Sequence, residues 1–197
     1  IRDRSTPTQA REAAADVGFP LALKVVSAQL PHKTEAGGVA LNLRNEAALE
    51  AALFDMRENI ARHAPGVSFD QVLLERMANP PLAELIVGIK RENGFGLALV
   101  LGAGGILVEL LKDSRSLLLP TTDAATRDAL LSLRSAPLLT GFRGRPAVNL
   151  DALVEAIRAV ADYACEHVDT LLELDVNPLL ADADGAVAVD ALIRTAE

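Results

Sequence analysis

Apolar residues recur along the chain at two periods, and the switches between them predict most of its elements. Thr6-Pro7-Thr8-Gln9 has the form of a capping box with proline at the first helical position, so a helix is expected over 7–17 and a stop at Gly18. Leu21–Val26 and Val39–Leu43 read as short strands, separated by a loop that holds Pro31, Gly37 and Gly38. Asn45 can cap a helix in which Leu49, Leu53, Met56 and Ile60 keep helical spacing, and Pro65-Gly66 ends it. Strands follow at 71–76, 83–90 and 97–101, with Asn79-Pro80-Pro81 and Asn93-Gly94 as turns. The glycine cluster from Gly102 to Gly105 precedes a short element near Val108, and helices are expected over 123–134 and 151–166. The tail reads as a hairpin: a strand over 170–177 ended by Pro178, a turn at 182–185, and a strand over 187–190. Strands and helices mix without strict βαβ alternation, so the class is α+β.

Composition narrows the choice. The chain has 197 residues, of which 50% are hydrophobic and 23% charged, enough for a substantial core in one domain or in one built of two lobes. A net charge of −8 argues against a nucleic-acid or anionic-membrane binder, whose surfaces are basic. The single cysteine, Cys165, excludes an internal disulfide framework and a cysteine-based zinc site. No secretory or membrane-spanning segment is visible, so a cytoplasmic protein is expected.

Candidate chemistry begins in the tail. Alternation in the strand puts Leu172, Leu174 and Val176 on one face and Glu173, Asp175 and Asn177 on the other. Asp190 on the return strand can join them, gathering three carboxylates and one amide. Such hard oxygen ligands suit Mg²⁺ completed by water and phosphate oxygens, and equally suit a half-solvated sheet with a polar outer face. Lys24 interrupts an apolar strand, so it either snorkels to the sheet edge or points its ammonium at an anion. The loop that follows adds Lys33 and Thr34 as donors, and its paired Gly37 and Gly38 let backbone N–H groups approach a phosphate. It is not a Walker A loop, because the Gly-x₄-Gly-Lys order is absent. His32 lies in that loop, where it is a surface residue or a phosphate carrier. Glu75 and Glu84 flank the Asn79-Pro80-Pro81 turn, either solvated or accepting from a nucleotide's amino and hydroxyl groups.

Together these strings resemble a family. His32-Lys33-Thr34-Glu35-Ala36-Gly37-Gly38-Val39, Glu84-Leu85-Ile86-Val87-Gly88, Gly102-Ala103-Gly104-Gly105, Gly141-Phe142-Arg143-Gly144 and Glu173-Leu174-Asp175-Val176-Asn177-Pro178-Leu179 stand in the order found in the ATP-grasp domain of ADP-forming acyl-CoA synthetases of the acetate–CoA ligase type. The chain is more distantly similar to the nucleotide-binding part of the succinyl-CoA synthetase β chain. The resemblance implies an ATP-grasp fold: two α+β lobes around a nucleotide cleft, the first (1–74) truncated at its N-terminus, the second (75–197) carrying the metal-binding hairpin. It implies that ATP or ADP is held by Lys24, by Lys33, Thr34, Gly37 and Gly38 of the loop, by Glu75 at the adenine hinge and by Glu84 near the ribose. Asp175, Asn177 and Asp190 would hold Mg²⁺. His32, with Lys33, would relay phosphate, and Glu109 and Arg143 would face a partner. That partner is a CoA-binding and ligase domain or α subunit, which carries the phosphohistidine and the acyl-CoA. The family's Asp-Pro before Phe-Gly is replaced here by Glu92-Asn93-Gly94, and the opening strand is absent ahead of Thr6. The expected function is the nucleotide half of a ligase reaction that the chain cannot complete alone. The alternative is a non-catalytic ATP-grasp-like regulatory or assembly lobe, as in acetyltransferase fusions.

Overall fold

The computed structural model describes residues 2–4, 7–27, 29–30, 33–67, 71–105 and 113–196. The chain forms two compact units, Ile1–Met77 and Ala78–Glu197. The element expected near Val108 lies outside the described residues. Among the described residues no helix is long and apolar enough to cross a membrane.

In the first unit, strands β1 (Arg2–Arg4), β2 (Leu21–Val26), β3 (Val39–Leu43) and β4 (Gln71–Arg76) form an antiparallel sheet in the order β1-β4-β2-β3. The three-residue β1, which the hydrophobic pattern is too short to announce, corrects the expectation that no strand stands ahead of Thr6 and adds an edge along β4. Helix α1 (Pro7–Val17) stops at Gly18, which takes φ +82° while its N–H donates to the Ala14 carbonyl at 2.8 Å. Helix α2 (Glu46–His63) starts where the Asn45 side chain accepts from the Ala48 N–H at 2.9 Å. Its Leu49, Leu53, Met56 and Ile60 pack with Ala10, Ala13 and Ala14 of α1 over Leu21, Leu23, Val25, Val72 and Leu74. Helices thus cover one sheet face, and Ala22, Lys24 and Glu75 belong to the other.

The second unit is a larger antiparallel sheet in the order β10-β8-β5-β6-β7, with β9 on the far part of β8. Its strands are β5 (Ala83–Glu92), β6 (Gly96–Ala103), β7 (Ser114–Leu118), β8 (Leu171–Ala181), β9 (Ala186–Ala188) and β10 (Ala191–Thr195). Leu85, Val87, Ile89, Leu99, Leu101, Leu174, Val176 and Leu179 form its buried face. Helices α3 (Asp123–Leu131), α4 (Ala136–Thr140) and α5 (Leu150–Glu166) contribute Leu130, Leu139, Leu153 and Ile157 to the same core. The opposite face carries Glu84, Ile86, Gly88, Lys90, Asp175 and Asn177.

Three expectations fail for identifiable reasons. The return strand expected over 187–190 is two strands, β9 ending at Ala188 and β10 starting at Ala191, with the break opposite the bulge on β8. The helix expected over 123–134 ends at Leu131, and a separate five-residue helix follows. Pro137 cannot sit inside a continuous helix. The buried Asp113 carboxylate also draws the chain into a turn, accepting from the N–H groups of Arg134 (3.0 Å) and Ser135 (2.9 Å) and from the Ser135 hydroxyl (2.9 Å). The tail strand does not end at Pro178 but runs on to Ala181. Leu85 pairs with Leu179 while Val87 pairs with Val176, so Pro178 sits in a bulge where no β5 ladder bond is asked of it. A second bulge at Leu172, between the pairs Arg194–Glu173 and Thr195–Leu171, breaks the alternation. Leu172 is therefore 46% exposed and does not share the buried face of Leu174 and Val176.

Burial pushes the Asp113 carboxyl up, but its hydrogen bonds from Arg134 and Ser135, with the Arg115 guanidinium nearby, outweigh that and hold it below the usual carboxylate value. A depressed folded-state pKa stabilises the fold above the unfolded value and ceases to do so as pH falls through the folded one, here below about pH 4. Asp113→Asn is expected to cost about 1–3 kcal/mol at pH 7. The difference from wild type in urea unfolding should shrink on acidification below about pH 4.

Candidate functional site

In the first unit, antiparallel register sets Lys24 opposite Leu73 and Ala22 opposite Glu75, so Lys24 and Glu75 are diagonal neighbours on one face. The Lys24 Nζ lies 2.6 Å from Glu75 Oε2, and Lys24 as a residue is only 7% exposed. The lysine therefore neither snorkels to water nor points into open space. It is tied to the neighbouring strand.

The loop beside it is closed on itself. Residues 33–37 make one turn, and Gly37, at φ +71°, donates its N–H to the Thr34 carbonyl at 3.1 Å. The Gly38 N–H donates to the Lys33 carbonyl at 2.7 Å, completing a Schellman arrangement. This corrects the expected use of the two glycines: in this conformation both N–H groups are engaged inside the loop and are not offered to a phosphate. What the geometry demands of glycine here is close approach. A Cβ on Gly38 would lie 2.6 Å from Val25 Cγ1, and one on Gly37 would lie 2.7 Å from Asn59 Cβ. The Gly38 carbonyl accepts from the Val25 N–H at 2.8 Å, which fastens the loop next to Lys24. Lys33 and Thr34 bring side-chain donors to the same loop. His32 lies outside the described residues, as does Glu109.

In the second unit Asp175 and Asn177 alternate with buried Leu174 and Val176 on β8, while Asp190 lies between β9 and β10 and not within the return strand expected over 187–190. The Asn177 N–H donates to the Asp190 carbonyl at 3.2 Å, and Val176 pairs with Ala191. Asn177 therefore stands opposite Asp190, two positions along its strand from Asp175. Glu173 pairs with Arg194 across the ladder, their side chains 3.1 Å apart. Burial, then the charges of Glu173 and Asp190, push the Asp175 carboxyl above the usual carboxylate range. Gly88 lies across from Asp175 on β5, and a Cβ there would come within 3.7 Å of Asp175 Oδ1. Among the described residues no three His, Cys, Asp or Glu side chains group to hold a metal. An ion at this face would draw on Asp175, Asp190 and the Asn177 amide, a hard-oxygen set that Mg²⁺ completes with water or phosphate oxygens.

Glu84 stands at the rim of a pocket of about 420 Å³ within the second unit, whose lining includes Gly104, Gly105, Ser135, Leu139 and Arg145. Its carbonyl accepts from the Gly104 N–H at 2.7 Å, and its Oε2 lies 2.7 Å from where a Gly105 Cβ would be. Arg143 is exposed at φ +50°, its guanidinium 5.3 Å from the Phe142 ring centroid, in a loop bounded by Gly141 and Gly144. Sequence reasoning missed Asp113 and the engagement of Glu173 by Arg194. The sequence around Asp113 reads as an ordinary polar turn, whereas cross-strand pairing in the tail carries a signal for the arginine.

Two antiparallel sheets, each covered by helices on one face, define an α+β class, and the chain belongs to the ATP-grasp domain family, which it matches over residues 2–195. It is 36% identical over 183 residues to the β subunit of ADP-forming acetate–CoA ligase I of Pyrococcus furiosus, covering 93% of this chain and 78% of that subunit. Its fold is similar to that of the dinucleotide forming acetyl-coenzyme A synthetase 1 of Ca. Korarchaeum cryptofilum, in complex with coenzyme A, Ca-AMPCP and HgCl+. The TM-score is 0.92 at 32% identity, over 99% of this chain and 85% of that one. A further structure of that synthetase, with coenzyme A and Mg-AMPPCP and its phosphohistidine segment pointing towards the nucleotide binding site, is similar with a TM-score of 0.80 at 32% identity, covering 99% and 84%.

Two stability effects follow from this geometry. Gly38→Ala should lower stability by about 1–3 kcal/mol, the cost of overpacking, read as a lower urea midpoint. Asp175→Asn should raise it in metal-free buffer at pH 7 by about 0.2–1 kcal/mol, the scale of a cross-strand charge contact. The raised folded-state pKa of Asp175 means that ionisation opposes folding above that pKa. The gain should therefore fade as pH falls and the wild-type carboxyl takes up its proton.

Proposed function

We propose that this chain is the nucleotide-binding part of an ADP-forming acyl-CoA synthetase acting in the cytoplasm, and that it exchanges a phosphoryl group between nucleotide and a histidine on a partner α subunit or fused domain. The observation that carries the reading is the acidic face of Asp175, Asn177 and Asp190, with its raised Asp175 carboxyl, in a chain of the ATP-grasp family. Relatives that are ADP-forming acetate–CoA ligase subunits, and structures that hold Mg-AMPPCP with a phosphohistidine segment, support the catalytic reading over a purely regulatory lobe.

Lys24, with Lys33 and Thr34 from the closed loop, binds and orients the phosphates. Glu84, at its pocket rim, accepts from ribose hydroxyls. Asp175, Asn177 and Asp190 hold Mg²⁺, which when bound neutralises charge on the phosphate oxygens. In the ATP-forming direction the P–N bond of the partner's phosphohistidine breaks as a P–O bond to the terminal phosphate of ADP forms, and the imidazole recovers a proton. The chain's own contribution is positioning and charge complementarity. Arg143, exposed on its loop, faces that partner.

Calorimetric titration of the full chain with ADP and ATP, with Mg²⁺ and in EDTA, tests the reading. Binding should be stronger with Mg²⁺, and Lys24→Ala should weaken it by about 1.5–3 kcal/mol, the worth of a hydrogen bond to a charged group. Asn177→Ala should weaken binding in Mg²⁺ more than in EDTA. Flat titrations of folded protein with both nucleotides would overturn the assignment.

A further inference from the structure

A glycine inside a strand gives up a side chain that could pack and loses more conformational freedom on folding than alanine would. Two glycines of β6 have evident reasons. Gly96 takes φ +88°, and a Cβ on Gly102 would lie 3.2 Å from the Asp113 carbonyl oxygen. Gly88, in the middle of β5, has neither. Its φ lies outside the left-handed region, and a Cβ there would meet nothing closer than Asp175 Oδ1 at 3.7 Å. The next neighbours are the Leu174 carbonyl oxygen at 3.9 Å and Val100 Cβ at 4.0 Å. These are ordinary van der Waals distances, so the fold itself would accept alanine.

The place where the methyl would stand identifies what its absence serves. Gly88 pairs with Asp175 on one side and Val100 on the other, so the three form one row across the open face of the second sheet. All three are half-buried, and a ligand can reach the row. Bare backbone at Gly88 leaves a slot beside the Asp175 carboxylate, walled on the far side by Val100. Oxygens in an octahedral Mg²⁺ shell stand about 3 Å from one another. A carbon fixed 3.7 Å from Oδ1 would crowd the oxygens that an ion on Asp175 gathers beside it.

We propose that Gly88 is a binding residue of the metal–nucleotide site, its missing side chain making room for a water or phosphate oxygen of the cation held by Asp175. The role presupposes the nucleotide-binding function proposed above. A glycine kept for packing and a glycine kept for a ligand respond oppositely to one added methyl group.

The test is Gly88→Ala in the full chain, followed by urea unfolding in metal-free buffer and by titration with ADP in Mg²⁺ and in EDTA. The urea midpoint should match or exceed that of wild type, because alanine is the better strand residue and finds room. ADP in Mg²⁺ should bind about tenfold more weakly, the scale of a change beside a metal ligand, while ADP in EDTA changes by less than about twofold. A lower midpoint, or a variant that does not fold, would show that packing demands the glycine and would overturn the proposal. So would equal losses in Mg²⁺ and in EDTA, or affinity in Mg²⁺ within about twofold of wild type. Wild-type protein that ignores ADP under both conditions would defeat the nucleotide reading itself, a result distinct from wild-type binding that Gly88→Ala leaves intact.

Discussion

Antiparallel pairing sends successive side chains to opposite faces, and in each unit the described helices cover one of them. Leu23 and Val25 lie under α1 and α2, so Lys24 between them belongs to the other face. Leu174 and Val176 lie under the helices of the second unit, so Asp175 is likewise turned away. A slip of one residue in either strand would drive a charge into the core and bring a leucine out, so the register is strongly specified. The apolar demand that makes the fold is thus the same constraint that presents the charged chemistry. No separate device is required to aim Lys24 or Asp175.

Where the alternation is broken, the break has a use. On β8 two residues, Asn177 and Pro178, stand against Ile86 alone on β5, because Leu179 pairs with Leu85 and Val176 with Val87. That bulge accommodates a proline in a central strand and turns Asn177 toward the β9–β10 side, where its N–H finds the Asp190 carbonyl. The bulge at Leu172 lets the same strand carry Glu173 to Arg194 while Leu171 stays buried. Both bulges lie in β8, the strand that carries Asp175 and Asn177.

Much of this was legible in the sequence, for reasons that differ by element. The strands at 21–26, 39–43 and 71–76 and the helix capped by Asn45 follow from local period and capping, which act within a few residues. The acidic face of Asp175 and Asn177 follows from alternation alone. The strand's passage through Pro178 and the split of the helix after Leu131 were not legible, because both depend on partners distant in sequence: the register of β5, and a buried Asp113. Gly37 and Gly38 are a subtler case. Glycine in a loop announces a special backbone or a close approach, but not which one. Here the neighbours are Val25, Asn59 and the loop's own carbonyls, and only the three-dimensional arrangement identifies them.

The two charged sites differ in how their charge is balanced, and the difference has consequences. Lys24 is paired within its own sheet by Glu75, which offsets part of the cost of burying its ammonium. In the second unit Arg194 pairs with Glu173, yet the Asp175 carboxyl is still pushed up by burial and by the charges of Glu173 and Asp190. An anion that reached Lys24 would have to displace or share the Glu75 carboxylate. The first unit thus pairs its buried charge across the sheet, whereas the second leaves like charges side by side.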